Sequence, residues 1–273
     1  MRLGIALPTL CPDGSELTGA ALLEAARQIE AAGFDSLWCF DAIGRGFLLP
    51  DPLLAVSAAA TVTRHITVGT CVIQVPLRRP VELAHRVLTA HLLCQGRLLL
   101  GVGAGSTRAD FDAVGVPYEQ RMRLFEDAVV LMRRLWRGEQ VGAANLTPWS
   151  TVRGGPPVLI GSWRGKTWIP RAAREFDGWI ASAAMTSFTA LKEGIARYRA
   201  AGGTRAVVTN LAVDLSAPTE ALADDAPFHL RCAPAAARER LQRLADLGFD
   251  DAILVAPRQP PELLHRLRAL WPG

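Results

Sequence analysis

Two apolar runs with a helical pattern between them constrain this chain most. The first is Ile66-Thr-Val-Gly-Thr-Cys-Val-Ile-Gln-Val-Pro-Leu-Arg-Arg-Pro80 and the second is Gly96-Arg-Leu-Leu-Leu-Gly-Val-Gly-Ala-Gly105. Each reads as a strand buried on both faces, because neither alternates between apolar and polar residues. The first is rich in β-branched residues and stops at Pro76, and the second breaks into Gly101, Gly103 and Gly105. Two such strands joined through a helix make a parallel β-α-β unit. Glycines at a strand's carboxyl end let a ligand come close to the backbone.

The same alternation runs to the end of the chain. Strands are expected at Leu3–Leu7, Ser36–Phe40, Thr67–Val75, Leu98–Val102, Val158–Ile160, Gly178–Ile180, Ala206–Val213 and Asp251–Val255. Helical spacing falls between them at Ala20–Ala32, from Pro52 to Thr63, and at Val81–Leu93, Glu119–Trp136, Thr167–Glu175, Ser187–Ala201, Pro234–Leu247 and Pro261–Leu270. Gly33 stops the first helix, and Asp51-Pro52 is an N-cap followed by proline at the first helical position. Eight such units in order predict an α/β fold of the (β/α)8 TIM-barrel type, as one domain over residues 1–273. A doubly wound sheet is the competitor, with fewer units. The segment 138–157, rich in Gly, Pro and Asn, is expected as a loop insertion near the barrel mouth.

A length of 273 residues, half of them hydrophobic, suffices for one large core. The net charge of +4 is spread without a basic block, which argues against a nucleic-acid partner. No apolar run approaches the ~18 residues needed to cross a membrane, and the N-terminus does not read as a signal peptide. The five cysteines are widely spaced with no C-x-x-C pair, so reduced thiols, a cytoplasmic location and no metal site are expected.

An ordered series of short motifs then carries a resemblance. It comprises Phe40-Asp41, Asp51-Pro52, Gly69-Thr70, Pro76 to Pro80, Gly96-Arg97, Gly101-Val-Gly-Ala-Gly105, Leu135-Trp136, Ile160-Gly161 and Asp177-Gly178-Trp179. In order and spacing the chain resembles the luciferase-like oxidoreductases, barrels that use FMN or the deazaflavin coenzyme F-420. The resemblance implies a monooxygenase-type oxidoreductase acting on a small organic substrate. It also implies a flavin reductase or deazaflavin-reducing partner, and a homodimer formed through helices near strands two to four. The apolar stretch Leu53–Ala60 allows that dimer. A non-proline cis peptide at Cys71-Val72, supporting the cofactor ring from behind, is implied as well. The departures are Ala42 where many members have a histidine after the aspartate, His91 in place of an acidic residue, Leu93-Cys94 for Leu-Ser, and Ser162-Trp163 after Gly161.

Barrel active sites lie at the carboxyl ends of the strands. That criterion selects Asp41, Cys71 to Gln74, Gly103 to Arg108, Gly161 to Trp163 and Ala181 to Ala184, which would converge on one mouth. Asp41 is the catalytic candidate, able to hydrogen-bond ring or substrate. The plain alternative is a carboxylate capping backbone N–H groups of the next loop. Cys71 and Val72 are the ring-support candidates, against an ordinary buried strand. Gly103, Ala104 and Gly105 would present backbone to the cofactor, with Ser106 and Arg108 reaching an anionic tail. The alternatives there are a tight turn and a solvated arginine. The segment Gly161-Ser-Trp-Arg-Gly-Lys166 precedes a helix, so Gly161, Ser162 and Trp163, with Ser182, are phosphate candidates. Against this, Trp163 would plug the pocket while Arg164 and Lys166 face water. The rival function is a degenerate, non-catalytic barrel that binds a ligand or a partner subunit.

Overall fold

The computed structural model of the chain describes residues 1–163 and 165–272. Strands and helices alternate in the order β1 (Arg2–Ala6), α1 (Gly19–Ala31), β2 (Ser36–Cys39), α2 (Pro52–Val62), β3 (Thr67–Thr70), β4 (Ile73–Gln74), α3 (Pro80–Leu93) and β5 (Leu98–Gly103). They continue with α4 (Arg108–Val114), α5 (Arg121–Trp136), β6 (Val158–Gly161), α6 (Trp168–Glu175), β7 (Gly178–Ser182) and α7 (Phe188–Ala200). The series ends with β8 (Ala206–Asp214), β9 (Leu230–Arg231), α8 (Pro234–Asp246), β10 (Asp251–Val255) and α9 (Pro261–Arg268). The chain divides into two compact units. One holds Met1–Trp38, Val62–Thr67 and Leu159–Gly273, and the other holds Cys39–Thr61 and Val68–Val158.

In the larger unit β1 pairs in parallel with β2 on one side and with β10 on the other. β10 continues to β8, β8 to β7, and β7 to β6, all in parallel. Hydrogen bonding of the last barrel strand to the first is the closure that defines a (β/α)8 barrel rather than an open sheet, so the chain has the expected TIM-barrel fold. Asp251 locks this closure at the amino ends of the strands. Its carboxylate is wholly buried and accepts from Arg2 at 2.8 Å and from Arg205 at 3.0 and 3.1 Å. Trp179 of β7 packs on α7, where its ring lies 5.6 Å from Tyr198 and fills the space a side chain at Gly194 would need.

Local sequence sets the helix ends as expected. Thr18 accepts the Ala21 N–H at 3.1 Å to start α1, and Gly33 follows the helix at φ +84°. Asp51 accepts the N–H groups of Leu53 and Leu54 at 3.0 and 3.1 Å, and Pro52 opens α2.

In the smaller unit the expected strand Thr67–Val75 is broken. β3 pairs with the first half of β5, through Val68↔Leu98 and Gly69↔Leu99. β4 pairs with its end, through Ile73↔Val102 and Gln74↔Gly103. The peptide between them, Cys71–Val72, is cis, where the resemblance places one. Two further differences follow from short-range packing. Residues 108–114 form a helix, α4, that no long apolar periodicity announces. The expected helix over Glu119–Trp136 begins at Arg121, after a 3-10 turn at Tyr118–Gln120.

The segment 138–157 is expected near the mouth, yet it packs around the carboxyl end of α5. The Gly154 N–H donates to the Trp136 carbonyl at 2.8 Å, and Arg153 donates to the Arg137 carbonyl at 3.0 Å. Gly155 lies so close that an added Cβ would meet the Trp136 ring at 2.6 Å. A connection from helix to strand returns the chain to the amino ends of the strands, opposite to where barrel enzymes build their sites. Among the described residues no helix is long and apolar enough to cross a membrane, and no group of His, Cys, Asp and Glu is placed to hold a metal ion. All five cysteines are free thiols.

Candidate active site

In the smaller unit the expected residues Asp41, Cys71, Val72, Gly103 and Gly105 gather around one that the sequence reading gave no role of its own, Gln74. Asp41 follows β2 and is almost fully buried. Its Oδ2 accepts the Gln74 backbone N–H at 2.8 Å and Arg78 Nη1 at 2.6 Å, while Oδ1 accepts Arg78 Nη2 at 2.9 Å. The Cys71 N–H donates to the Cys39 carbonyl at 2.9 Å, which anchors the start of the cis peptide. Gln74 Nε2 donates to the Asp41 carbonyl at 3.2 Å and to Asp110 Oδ2 at 2.8 Å.

Asp110, on α4, is wholly buried and carries the second ion pair. Arg45 holds it through Nε at 2.9 and 3.0 Å and through Nη2 at 2.5 Å, and the Ile43 N–H adds a bond at 3.3 Å. Burial works against the charged carboxylate here. The hydrogen bonds from Arg45 and Gln74, and the Arg45 charge, outweigh that and hold its pKa below the ordinary value. This network fixes the carboxyl ends of β4 and β5 and the loop after β2. It leaves the Gln74 Oε1 buried without a hydrogen-bond partner.

Gly105 has φ +79°, and a Cβ there would meet Gln74 Oε1 at 2.8 Å and the Phe111 ring at 2.9 Å. The turn and the packing therefore both require glycine here. Ala104 is half-buried beside it. Ser106 and Arg108 stand apart from this cluster. Both are exposed, the Ser106 carbonyl accepts the Tyr118 hydroxyl at 3.0 Å, and Arg108 pairs with Glu119 at 2.5 Å over the Tyr118 ring.

In the larger unit β6 and β7 bring Gly161, Ser162 and Ser182 to neighbouring strand ends. Gly161 pairs with Ile180, and the Ser162 N–H donates to the Ile180 carbonyl at 3.1 Å. The Ser162 carbonyl accepts Trp179 Nε1 at 2.6 Å. The Ser162 side chain lies over Gly165, where an added Cβ would come within 2.4 Å of its Oγ and 3.2 Å of Trp168 Cβ. A glycine thus lets this loop close onto the start of α6. Trp163 is half-buried, and Arg164 lies outside the described residues. Ser182 Oγ accepts Asn210 Nδ2 at 2.9 Å, and its carbonyl accepts the Thr186 hydroxyl at 2.7 Å.

Sequence reasoning missed Arg78, Arg45 and Asp110 as site-building residues. Arg78 was visible between Pro76 and Pro80, but an arginine in a short loop reads as solvated. Asp110 pairs across a separation of 65 residues, which no local pattern reveals.

With this geometry described, comparison with known proteins adds three findings. A family model described as luciferase-like monooxygenase matches residues 1–227. Among curated relatives, 4-hydroxyprotoasukamycin monooxygenase from Streptomyces nodosus subsp. asukaensis is 34% identical over 129 residues, covering 46% of this chain and 34% of that protein. The F420-dependent glucose-6-phosphate dehydrogenase of Beutenbergia cavernae is 30% identical over 189 residues, covering 62% and 56%. The matches thus span about a third to just over half of these relatives' lengths. The crystal structure of monooxygenase RslO1 from Streptomyces bottropensis superposes with a TM-score of 0.80 at 20% identity, covering 99% of this chain and 97% of that one. At that identity the likeness is one of fold.

Proposed function

The chain belongs to the luciferase-like monooxygenase family, and from that premise we propose that it is a flavin- or deazaflavin-dependent oxidoreductase of the monooxygenase type. Its substrate is a small organic molecule and its cofactor is FMN or the deazaflavin F-420. The chain works in the cytoplasm as a homodimer, with a separate flavin- or deazaflavin-reducing partner. The single observation that favours oxygenation over an alcohol-dehydrogenase reaction is the state of the β2 end. Ala42 has no proton to give. The Asp41 carboxylate is committed to Arg78 and the Gln74 N–H.

The residues present fit such a cofactor. In the larger unit, the Ser162 hydroxyl has the donor chemistry for an anionic tail, and Gly165 lets its loop close onto the start of α6, with Gly161, Trp163 and Ser182 beside them. In the smaller unit, Cys71, Val72, Gly103, Ala104 and Gly105 are small or apolar residue types, the kind that lies against a flat ring. Ser106 and Arg108 are the outlying candidates, exposed and paired elsewhere. When bound, the reduced ring supplies the electrons for oxygenation or hydride transfer. The protein's part is to bind, orient and exclude water. Asp41 acts as a positioning residue: through Gln74 it fixes the β4 backbone rather than moving a proton itself.

The test is a calorimetric titration of the cofactor-free protein with FMN, reduced FMN and the deazaflavin, followed by oxygen-consumption assays with the cofactor that binds. Binding of one of them supports the reading and selects the chemistry. Binding of none would favour the degenerate barrel.

A further inference from the structure

The middle of β8, level with the carboxyl end of β7, carries an irregularity that neither the fold nor the ion-pair network uses. β8 pairs with β10 as Val208↔Ala252 and then as Leu211↔Leu254, so Thr209 and Asn210 together face Ile253. This is a β-bulge, and Asn210 sits in the left-handed region at φ +60°. Bulges concentrate beside active sites, where they re-aim side chains. The one here redirects polar groups. Asn210 Nδ2 donates to Ser182 Oγ at 2.9 Å. Thr209 is paired in register with Ser182 and is only 2% exposed, yet its hydroxyl has no hydrogen-bond partner.

Strand alternation says which way these groups face. Trp179 packs outward on α7, so Ser182, three residues on, points to the opposite, inner face of the sheet. Thr209, its register partner, points there too. Neighbouring strands lie about 4.8 Å apart. Two hydroxyls at that spacing can both donate to one oxygen between them, each at about 2.8 Å. Ser182 already accepts from Asn210, which leaves its own proton free to donate.

We propose that Thr209, Ser182 and Asn210 form a subsite that binds one hydrogen-bond acceptor oxygen of the bound small molecule. The proposal rests on the oxidoreductase reading above and adds a recognition element to it. The acceptor is a carbonyl or phosphate oxygen, and it comes either from the cofactor or from a carbonyl-bearing substrate. Asn210 orients the Ser182 hydroxyl, and Thr209 supplies the second donor. An isolated buried hydroxyl costs stability when no ligand is present, which makes the subsite detectable in the free protein.

The test uses Thr209→Val, with Thr209→Ser as the conservative partner, in the full chain. Two quantities are read: the melting temperature without ligand, and calorimetric affinities for FMN, riboflavin, the deazaflavin, inorganic phosphate and cyclohexanone. The expected result is that Thr209→Val melts about 2 °C or more above wild type and binds at least one probe about tenfold more weakly. Thr209→Ser should bind like wild type. A loss seen with FMN but not riboflavin identifies a phosphate oxygen, and a loss shared by both identifies a ring oxygen. A loss confined to cyclohexanone identifies a substrate carbonyl. A lower melting temperature for Thr209→Val would overturn the proposal, since the hydroxyl would then be structural. Equal binding of every probe by both proteins would overturn it too. If wild type binds no flavin or deazaflavin, the oxidoreductase reading fails separately. The subsite is then decided by phosphate and cyclohexanone, and binding of neither by wild type overturns it.

Discussion

Arg78 grips both carboxylate oxygens of Asp41, at 2.6 and 2.9 Å, with side chains only 10% and 2% exposed. The same guanidinium lies 3.6 Å from Asp51, the residue that caps α2. One arginine therefore ties the end of β2 to the start of α2. The Asp41 partner, Gln74, brings β4 into the same knot. Removing one member of a buried pair strands the other charge, at a cost of about 3–5 kcal/mol. Arg78→Ala should lower unfolding stability by about that amount, and Arg78→Lys by less, because lysine restores the charge without the fork. Urea unfolding of the three proteins checks this. An Arg78→Ala midpoint equal to wild type would mean that Asp41 finds another partner or is solvated.

Acid should act through Asp110. Its folded-state pKa is held below the unfolded value of 3.8 by hydrogen bonds from Arg45 and Gln74, which overcome the opposing effect of burial. A depressed carboxyl pKa contributes stability that is present above the unfolded value and lost as pH falls through the folded one. This contribution should thus be constant from neutrality to about pH 5 and decline below about pH 4. In Asp110→Asn the protein should be less stable at neutral pH, with a shallower loss on acidification. Urea midpoints measured on both proteins at descending pH decide it. Parallel acid limbs would remove Asp110 from the explanation.

How much of this was written in the sequence depends on the range of the interaction. Strands and helices were legible because burial repeats locally, and Asp51-Pro52 announced its helix because a cap needs only neighbouring residues. The strand break at Cys71–Val72 was not visible in the apolar pattern, which runs unbroken to Val75; it came only from the resemblance. α4 was missed because Arg108–Val114 is too short for a period to show and its buried face holds Asp110, a residue type that ordinarily signals solvent. The charge makes sense only beside Arg45. The bulge at Thr209–Asn210 was hidden for a similar reason: an asparagine within a strand-like run gives no sign that it adopts a left-handed backbone. Of the site candidates, Asp41 and Ser182 were selected by strand-end position alone, which does not reveal their hydrogen bonds to Arg78 and Asn210; Arg108 was selected as an arginine after a glycine loop, a pattern that says nothing of its pairing with Glu119.

Glycine substitutions separate backbone strain from packing. Gly105 and Gly46 share φ +79°. A Cβ at Gly46 would meet nothing within 4 Å, whereas one at Gly105 would press on Gln74 Oε1 and on Phe111. Gly46→Ala should therefore cost only the left-handed penalty, about 1–2 kcal/mol. Gly105→Ala should cost that plus an overpacking term of about 1–3 kcal/mol. Matched unfolding curves for the two variants give the comparison directly. Equal losses would show that Gln74 and Phe111 yield freely to a methyl group.

Thiol chemistry offers the last test, because the five cysteines occupy distinct environments. Burial, reinforced by the negative charges of Asp41 and Asp51, pushes the Cys39 thiol up to about 12. Burial also raises Cys94 to about 11. Neither forms appreciable thiolate near neutrality, and the thiolate is the reactive species. Cys71 and Cys232 are buried, whereas Cys11 is half-exposed, with its thiol donating to the Glu16 carbonyl at 3.2 Å. In native protein at about pH 8, DTNB should therefore label one thiol rapidly. Cys11→Ser should abolish that fast phase, and full denaturation should release all five. A second fast thiol that survives Cys11→Ser would show that one of the buried cysteines is open to solvent.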